Sequence, residues 1–375
     1  MTLAQRNPSI PITRTTIQAA VLTEPGKPLQ IRQVHIDVPL PGEVQIRTLA
    51  AGLCHSDLHY LDGTLPIELP AVLGHEVVGE IIAVGDESSA HRIGERVVVT
   101  ITPSCGLCSH CVAGLASQCL RAKQIRQRIR PKLVDDTGAA INLLGSIGAF
   151  AEQIIVPEMA AIPVDTTMPA DEACLLSCCI ATGYGAVVHG AKVSPQDSVA
   201  VIGCGGVGIA AIQAARIAGA HTILAVDLHP EKLERAKRFG ATHTLLSAGG
   251  FRQKLNEMFP QGINKSFEAV GSPKTAEQAF EMLAPNGTAT ILGLERPDSR
   301  ISVNAELLIE GDRKLRGAYM GSNQLPGDIV AFSAHQRSGA LDLHSMVTSR
   351  WAFNNINQGF DAMLQPDAIR SVIEW

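Results

Sequence analysis

The stretch "DSVAVIGCGGVGIAAIQAARIAGAHTILAVD" (197–227) decides the fold of this chain. A short apolar run leads into "GCGGVG" (203–208), an Ala-rich helical pattern follows, and a second apolar run ends at Asp227. Strand, glycine turn, helix and strand in this order begin a parallel, doubly wound sheet with right-handed crossovers. Strand-like and helix-like segments go on alternating further along the chain. Residues 183–320 are therefore predicted to form a six-stranded Rossmann domain.

The glycines fit G-x-G-x-x-G in the setting that a dinucleotide site requires, after a strand and at the start of a helix. In this interpretation Gly203 makes the tight turn, Gly205 lets the backbone approach a pyrophosphate, and Gly208 lets helix and strand pack closely. Gly206 and Val207 complete the loop at the helix N-terminus, which faces the phosphates. The segment is predicted to bind a dinucleotide.

Asp227 lies at roughly the distance of 20 residues expected of a ribose-binding acid. A carboxylate there accepts hydrogen bonds from the ribose hydroxyls and repels a 2′-phosphate, which favours NAD over NADP. The alternative is that Asp227 only ends its strand and caps the helix that begins near Pro230. Lys232 is a second candidate for the ribose, although an ordinary exposed lysine fits its position nearly as well.

Composition limits the class of protein. The chain has 375 residues, enough for two domains, and 46% hydrophobic against 18% charged residues is typical of a folded protein. A net charge of −5 argues against general nucleic-acid binding. No stretch of about 20 residues stays apolar, and "MTLAQRNPSIPITRTTIQ" (1–18) lacks the apolar core of a secretion signal. We therefore expect a cytoplasmic protein without membrane or nucleic-acid partners.

The flanking regions have a different texture. Alternating runs such as "EVQIRTLAAG" (43–52) and "EVVGEIIAVG" (76–85) predict short strands joined by turns. The last stretch, from residue 321, returns to mixed short elements.

A four-cysteine stretch, "CGLCSHCVAGLASQC" (105–119), lies in the first region. Nine cysteines without a secretion signal favour metal ligands or free thiols over disulfides. Cys105, Cys108, Cys111 and Cys119 have the spacing C-x2-C-x2-C-x7-C and can complete a tetrahedral zinc. Because four thiolates leave no position for a substrate, this lobe, about residues 103–120, is predicted to be structural.

An open metal site has to use other residues. Three segments offer candidates: Cys54, His55, Ser56, Asp57 and His59 in "GLCHSDLH"; His75 and Glu76 in "GHE"; and Cys174, Cys178 and Cys179 in "CLLSCCIATGYG". Two thiolates and one imidazole suit a three-ligand zinc with a fourth open position. Spacing alone does not choose among the last three cysteines.

These motifs together resemble the zinc-containing medium-chain alcohol dehydrogenase family, from about residue 17 to the end. "GLCHSDLH", "GHEVVGE", the four-cysteine lobe and "GCGGVG" followed by Asp227 occur in the family's order. The resemblance implies that residues 1–182 and 321–375 form one mostly-β, GroES-like catalytic domain with a distorted barrel core, into which the Rossmann domain is inserted, with the active site in the cleft between the two. Two zinc ions per chain, NAD, and a homodimer or homotetramer paired near "GTATILG" and "KLRGAY" are implied as well. The resemblance also implies a zinc that acts as a Lewis acid on the hydroxyl of an alcohol.

Site residues follow from the resemblance, role by role. Cys54, His75 and Cys178 bind the catalytic zinc, Glu76 lies beside it, and Asp57 orients His75. Ser56 and His59 relay the proton. His55, Thr182, Leu292, Leu294 and Arg370 contact the cofactor. Leu65, Ile101, Leu144, Ile180 and Leu294 line the substrate pocket.

The apolar pocket indicates a medium-length or aromatic primary alcohol, or its aldehyde. A glutathione-dependent formaldehyde dehydrogenase is less favoured, because "GTLPIELP" has Leu65 and Ile67 where acidic residues would grip the charged substrate. An alcohol dehydrogenase that retains its nicotinamide cofactor between turnovers stays open as an alternative.

The basic run "RAKQIRQRIRPK" (121–132) has six basic residues and no acidic one. A solvated loop is the first interpretation, and a cleft rim that attracts anionic substrates is the second. A third combines the run with the cysteine lobe as a zinc-containing nucleic-acid module, against which the negative net charge and the absence of interleaved aromatics argue.

Overall fold

The computed structural model describes residues 13–87 and 89–375. Most of the N-terminal segment in which we expect no secretion signal lies outside the described residues. The strands are β1 (Thr15–Leu22), β2 (Gln30–Ile36), β3 (Glu43–Gly52), β4 (Ala71–Val72), β5 (Glu76–Val84), β6 (Arg96–Val99), β7 (Leu133–Val134), β8 (Ala140–Leu143), β9 (Gln153–Pro157), β10 (Ala161–Pro163), β11 (Ser198–Ile202), β12 (Thr222–Asp227), β13 (His243–Leu246), β14 (Ile263–Glu268), β15 (Leu283–Ile291), β16 (Lys314–Gly317), β17 (Val347–Ala352) and β18 (Arg370–Glu374).

The α-helices are α1 (His55–Leu61), α2 (Ser109–Val112), α3 (Ala122–Ile125), α4 (Ala170–Ala173), α5 (Cys179–Gly185), α6 (Gly206–Ile217), α7 (Pro230–Phe239), α8 (Phe251–Met258), α9 (Pro273–Glu281), α10 (Ala305–Glu310), α11 (Leu325–Arg337) and α12 (Ile356–Met363). Short 3-10 turns and one π-helical turn, Ala186–Gly190, join several of them.

The first region folds into a closed barrel and a larger sheet. The barrel has the order β1-β2-β7-β8-β4, and the sheet runs β10-β6-β5-β3-β18-β17, with β9 also paired to β3. The two alternating runs of the sequence pair with each other as antiparallel β3 and β5. The C-terminal strand β18 also pairs with β3, with Val372 opposite Gly52, so the chain returns to this domain beside Cys54.

The middle region forms a six-stranded parallel sheet in the order β13-β12-β11-β14-β15-β16. Strand order reverses between β11 and β14, so a crevice opens at the carboxyl ends of these strands, where α/β sheets bind ligands. This arrangement confirms the predicted inserted Rossmann fold.

One core cluster connects the two parts. It contains Val78 and Val98 from the larger sheet together with Val199 and Ile209 from the Rossmann side. Helix α5 packs closely on α6, because a side chain at Gly183 would lie 2.6 Å from the Ala210 Cβ. The glycine loop is thereby held at a fixed place relative to the segment that starts at Cys178.

Within the described ranges, no single helix is both long and apolar enough to cross a membrane. One helix pair, Ala170–Ser177 with Cys179–Gly190, has the length and apolar composition of a membrane span, but the two helices are bent by 49° relative to each other.

Candidate active site

Four buried side chains meet where the larger sheet approaches α5. Ligand atoms of Cys54, His75, Glu76 and Cys178 all lie within 4.8 Å of one another. Both carboxylate oxygens of Glu76 are buried and accept no hydrogen bond from the described residues, so they lack the partners that buried acids normally have. Two sulfurs, an imidazole and a carboxylate without hydrogen-bond donors fit a zinc ion.

Asp57 fixes two of these ligands in place. Its fully buried carboxylate accepts hydrogen bonds from the Cys54 backbone N–H (3.1 Å) and the Gly74 backbone N–H (3.0 Å). The same carboxylate lies 3.4 Å from Nδ1 of His75. Since Nδ1 faces Asp57, Nε2 faces the two cysteines, as expected for a ligand oriented through its second nitrogen.

The two thiols at the centre differ in acidity. A hydrogen bond with Cys178 lowers the pKa of Cys54 well below that of a free thiol, in spite of the opposite effect of burial. The same hydrogen bond raises the pKa of Cys178. One thiolate is therefore already favoured, and zinc binding would release the proton of the other.

Geometry separates the three cysteines that spacing leaves equivalent. Only Cys178 belongs to the cluster of candidate ligands among the described residues. Cys174 directs its thiol at the Asp171 carbonyl (3.2 Å), and burial raises the pKa of Cys179 to about 12. Neither has the setting of a metal thiolate.

Arg370 links this cluster to the glycine loop. Its guanidinium is buried, lies 3.6 Å from Glu76 Oε1 and donates to the Leu53 carbonyl. A side chain at Gly206 would come within 2.2 Å of Arg370 Nε. Burial raises the pKa of Glu76 to about 8, against the lowering effect of Arg370. The metal cluster and the loop thus share one buried cation.

The glycine loop has the shape that a pyrophosphate needs. Gly203 has φ +91°, and a side chain at Gly208 would lie 1.8 Å from the Gly203 carbonyl oxygen, so α6 and β11 approach more closely than any larger residue allows. A side chain at Gly205 would meet no described residue within 4 Å. Helix α6 begins at Gly206 and directs its free N–H groups into this open space.

The remaining cofactor candidates surround the loop. Asp227 ends β12 and accepts hydrogen bonds from the Cys204 N–H (2.8 Å) and the His229 N–H (3.0 Å), so it also supports the loop itself. Val207 and Lys232 are half-buried. Thr182 is buried, and Gly321 packs against its backbone.

Leu292 and Leu294 follow β15, on either side of Gly293. The backbone N–H groups of Leu292 and Gly293 donate to the Glu268 carbonyl. Leu292 packs partly against the core that connects the domains, whereas Leu294 is 48% exposed. Glu268 thus holds the segment that contains Leu292. The sequence did not indicate this role, because a buried acid at the end of a strand has no local signature.

The relay candidates lie on α1. The Ser56 hydroxyl is 3.1 Å from Cys54 Sγ and 3.3 Å from His75 Nε2, so it lies beside the candidate metal. His59 is half-buried and His55, one turn earlier, is exposed. Exposure therefore falls from His55 to His59, and a proton path from Ser56 to His59 stays a prediction.

The predicted pocket residues do not all lie on one wall. Leu65 and Leu144 are buried and Ile101 is half-buried. Ile180 has no exposed surface and packs in the core that connects the domains. Helix α5 thus directs Ile180 into that core, and its place in the substrate pocket stays a prediction.

The four cysteines of the lobe form a second cluster, with all sulfurs within 4.8 Å of one another. Backbone N–H groups of Cys111 and Leu120 lower the pKa of Cys108 to about 6. The N–H of Cys105 donates to Cys119 Sγ and that of Cys108 to Cys105 Sγ, both at 3.4 Å. Four mutually close sulfurs fit a closed zinc site.

The basic run is only partly solvated. Arg121 and Lys123 are exposed. Arg128 is paired with Asp37 and Glu43, each at 3.0 Å, and Arg130 is 2.5 Å from Asp37. The solvated-loop interpretation is therefore wrong for the second half of the run. The sequence feature that could have indicated this is the alternation of basic residues at 126, 128, 130 and 132. The acidic partners themselves lie far earlier in the chain.

Comparison with known proteins gives concordant matches. A family model described as an alcohol dehydrogenase GroES-like domain matches residues 40–166, and one described as a zinc-binding dehydrogenase matches residues 206–334. A Mycobacterium tuberculosis protein named "Putative alcohol dehydrogenase D" is 33% identical over 362 residues, 95% of this chain and 98% of that protein.

Two solved structures are also similar. An alcohol dehydrogenase zinc-binding domain protein from Burkholderia ambifaria has a TM-score of 0.90 and 29% identity. Benzyl alcohol dehydrogenase from Acinetobacter calcoaceticus has a TM-score of 0.87 and 29% identity. Each match covers 96% of this chain and 99% of the other.

Proposed function

Because this chain belongs to the zinc-containing medium-chain alcohol dehydrogenase family, we propose that it oxidises a primary alcohol, medium-length or aromatic, reversibly to the aldehyde with NAD. The observation that carries the proposal is the contact of Arg370 with both the metal cluster and the glycine loop. It would bring a site for the alcohol and a site for the cofactor pyrophosphate into one cleft.

We assign the roles within the cleft as follows. Cys54, His75 and Cys178 would hold the catalytic zinc beside Glu76, and the bound metal would supply Lewis acidity to the alcohol hydroxyl. Ser56 would accept the hydroxyl proton, since its oxygen lies beside two of the ligands. The cysteine lobe would hold the second zinc.

Two observations favour an apolar substrate. Leu65, Ile101 and Leu144 offer hydrocarbon surface, and residues 63–70 have Leu65 and Ile67 where a grip on charged glutathione would need acids. One similar structure carries the name benzyl alcohol dehydrogenase. Benzyl and cinnamyl alcohols are therefore the first substrates to test.

The test is absorbance of the reduced nicotinamide with purified protein, NAD or NADP, and alcohols from ethanol to hexanol plus benzyl alcohol, cinnamyl alcohol and a polyol. The proposal expects NADH formation that a zinc chelator abolishes, with the best rates on the larger apolar alcohols. Silence across the panel with two zinc ions bound per chain would contradict it, and tightly bound nicotinamide in the purified protein would then indicate a retained cofactor.

Asp227→Asn should raise the NADP-to-NAD ratio of kcat/KM by about tenfold or more, because it removes a charge that repels a 2′-phosphate. The two oxygens of Asp227 each accept one backbone hydrogen bond, from Cys204 and from His229, and asparagine keeps the acceptor for only one of them. Initial rates with both cofactors measure the ratio. An unchanged ratio would mean that Asp227 only supports the loop.

His59→Gln should lower kcat by roughly a hundredfold if His59 passes the proton to solvent. Added imidazole should then restore part of the rate, while His110→Gln in the cysteine lobe should change nothing. A full rate in His59→Gln, or a loss that imidazole does not restore, would rule out the relay.

For the assembly, we propose a homodimer or homotetramer. Strand β16 is the edge of the parallel sheet and pairs only with β15 within the described part of the chain. The unpaired backbone N–H and C=O groups of such an edge strand can form hydrogen bonds with the same strand of a second copy.

A further inference from the structure

Two cations of the basic run hold backbone carbonyl groups instead of acids. Arg126, at the end of α3, donates a hydrogen bond to the Ile101 carbonyl. Lys132 is 8% exposed and donates to the Ser146 carbonyl at 2.6 Å. Hydrogen bonds from charged donors are stronger than neutral ones, so each fixes its acceptor firmly.

The two held segments both approach the segment that contains His75. Strands β5 and β6 are antiparallel, with Val78 opposite Val98, so the end of β6 that leads to Ile101 lies beside the start of β5, which His75 precedes. From the segment around Ser146, the Ala149 N–H donates to the Gly74 carbonyl at 3.0 Å. The segments around Ile101 and Ser146 therefore both lie close to the stretch of chain that carries a candidate metal ligand.

The second segment needs an external hold. Gly145, Ser146 and Gly148 all have left-handed backbone conformations, with φ of 61°, 64° and 64°. Ser146 is not a glycine, so this conformation is unfavourable for it without outside contacts. A side chain at Gly145 would lie 2.6 Å from Ile101 Cδ1, so the two segments also touch each other.

We propose that Arg126 and Lys132 are positioning residues for substrate selection: by holding the Ile101 and Ser146 carbonyls, they set the width of the substrate space beside His75. This inference rests on the proposed function. It gives the second half of the basic run a role that neither a solvated loop nor an anion-attracting rim provides.

A purely structural role for Lys132 would mean that its replacement lowers the stability of the fold. Burial lowers the pKa of Lys132 to about 8. The nearby positive charges of Arg128 and Arg126 lower it as well, whereas Glu43 acts in the opposite direction. Burying this charge therefore costs folding free energy, and we expect an apolar residue of similar length at position 132 to leave the fold stable. A change in selectivity without loss of stability would identify positioning.

The test compares Lys132→Met and Arg126→Met with Lys123→Met, a control at an exposed lysine of the same run. The ratio of kcat/KM for benzyl alcohol to that for ethanol should change about tenfold in the first two and stay unchanged in the control. Arg126→Lys, which keeps a donor, should retain most of the selectivity.

Hydrogen exchange supplies a readout apart from activity. Peptides that cover residues 140–150 should exchange faster in Lys132→Met than in the wild type, while peptides of the lobe should not change. If Lys132→Met fails to fold, Arg126→Met decides the question.

Equal loss of activity on all alcohols, or an unchanged ratio with unchanged exchange, would overturn the inference while leaving the proposed function intact. A wild type inactive on every alcohol would instead contradict the proposed function, and the exchange result would still judge the positioning role.

Discussion

Cys178→Ser should purify with one zinc fewer per chain than the wild type and should lose at least about a thousandfold in kcat/KM. Cys178 is the only cysteine of the segment 174–179 whose sulfur belongs to the buried cluster with Cys54, His75 and Glu76. Removing one of two thiolates leaves too few strong ligands to retain the ion. Metal analysis and steady-state kinetics measure the two effects.

Cys174→Ser and Cys179→Ser are the matched controls, since both thiols are as buried as Cys178. Each should keep both zinc ions and most of the activity. Retention of both metals in Cys178→Ser, or loss of one in either control, would move the third ligand elsewhere.

Cys108→Ser should also lower the zinc content by one per chain, with stability as its main effect. The lobe places Cys108 Sγ 3.5 Å from Cys111 Sγ and 3.9 Å from Cys119 Sγ. Without zinc, the described lobe contains only short helical turns and little buried apolar surface of its own. A structural zinc contributes folding free energy directly, so we expect the thermal midpoint to fall by roughly 10 °C or more.

Calorimetry and metal analysis on Cys108→Ser measure these changes. Molecules that remain folded should still reduce NAD, because the lobe cysteines do not belong to the cluster that contains His75. An unchanged midpoint with one zinc lost, or abolished chemistry in protein shown to be folded, would contradict a structural role.

Local patterns account for what could be predicted. The glycine loop follows from residues 197–227 alone, because the turn, the helix start and the acid are all within one strand–helix–strand unit. The alternating runs at 43–52 and 76–85 also read as strands from their local pattern, and they form β3 and β5. The structure confirms both.

Long-range contacts account for the rest. Cys174, Cys178 and Cys179 are equivalent by spacing, and only the packing of α5 distinguishes them. The burial of Ile180 in the core that connects the domains depends on the direction in which α5 turns, which a short segment does not reveal. The inward direction of Arg128 depends on Asp37 and Glu43, which lie on or next to distant strands that no local pattern connects to it.

The most direct test of hydride transfer in this cleft uses benzyl alcohol carrying two deuterium atoms on its carbinol carbon. The protein, NAD and this alcohol are incubated, and the reduced cofactor is analysed by mass spectrometry. The account predicts that one deuterium is found in each reduced nicotinamide. Reduced cofactor without deuterium, or none formed by zinc-loaded protein on any alcohol, would contradict it.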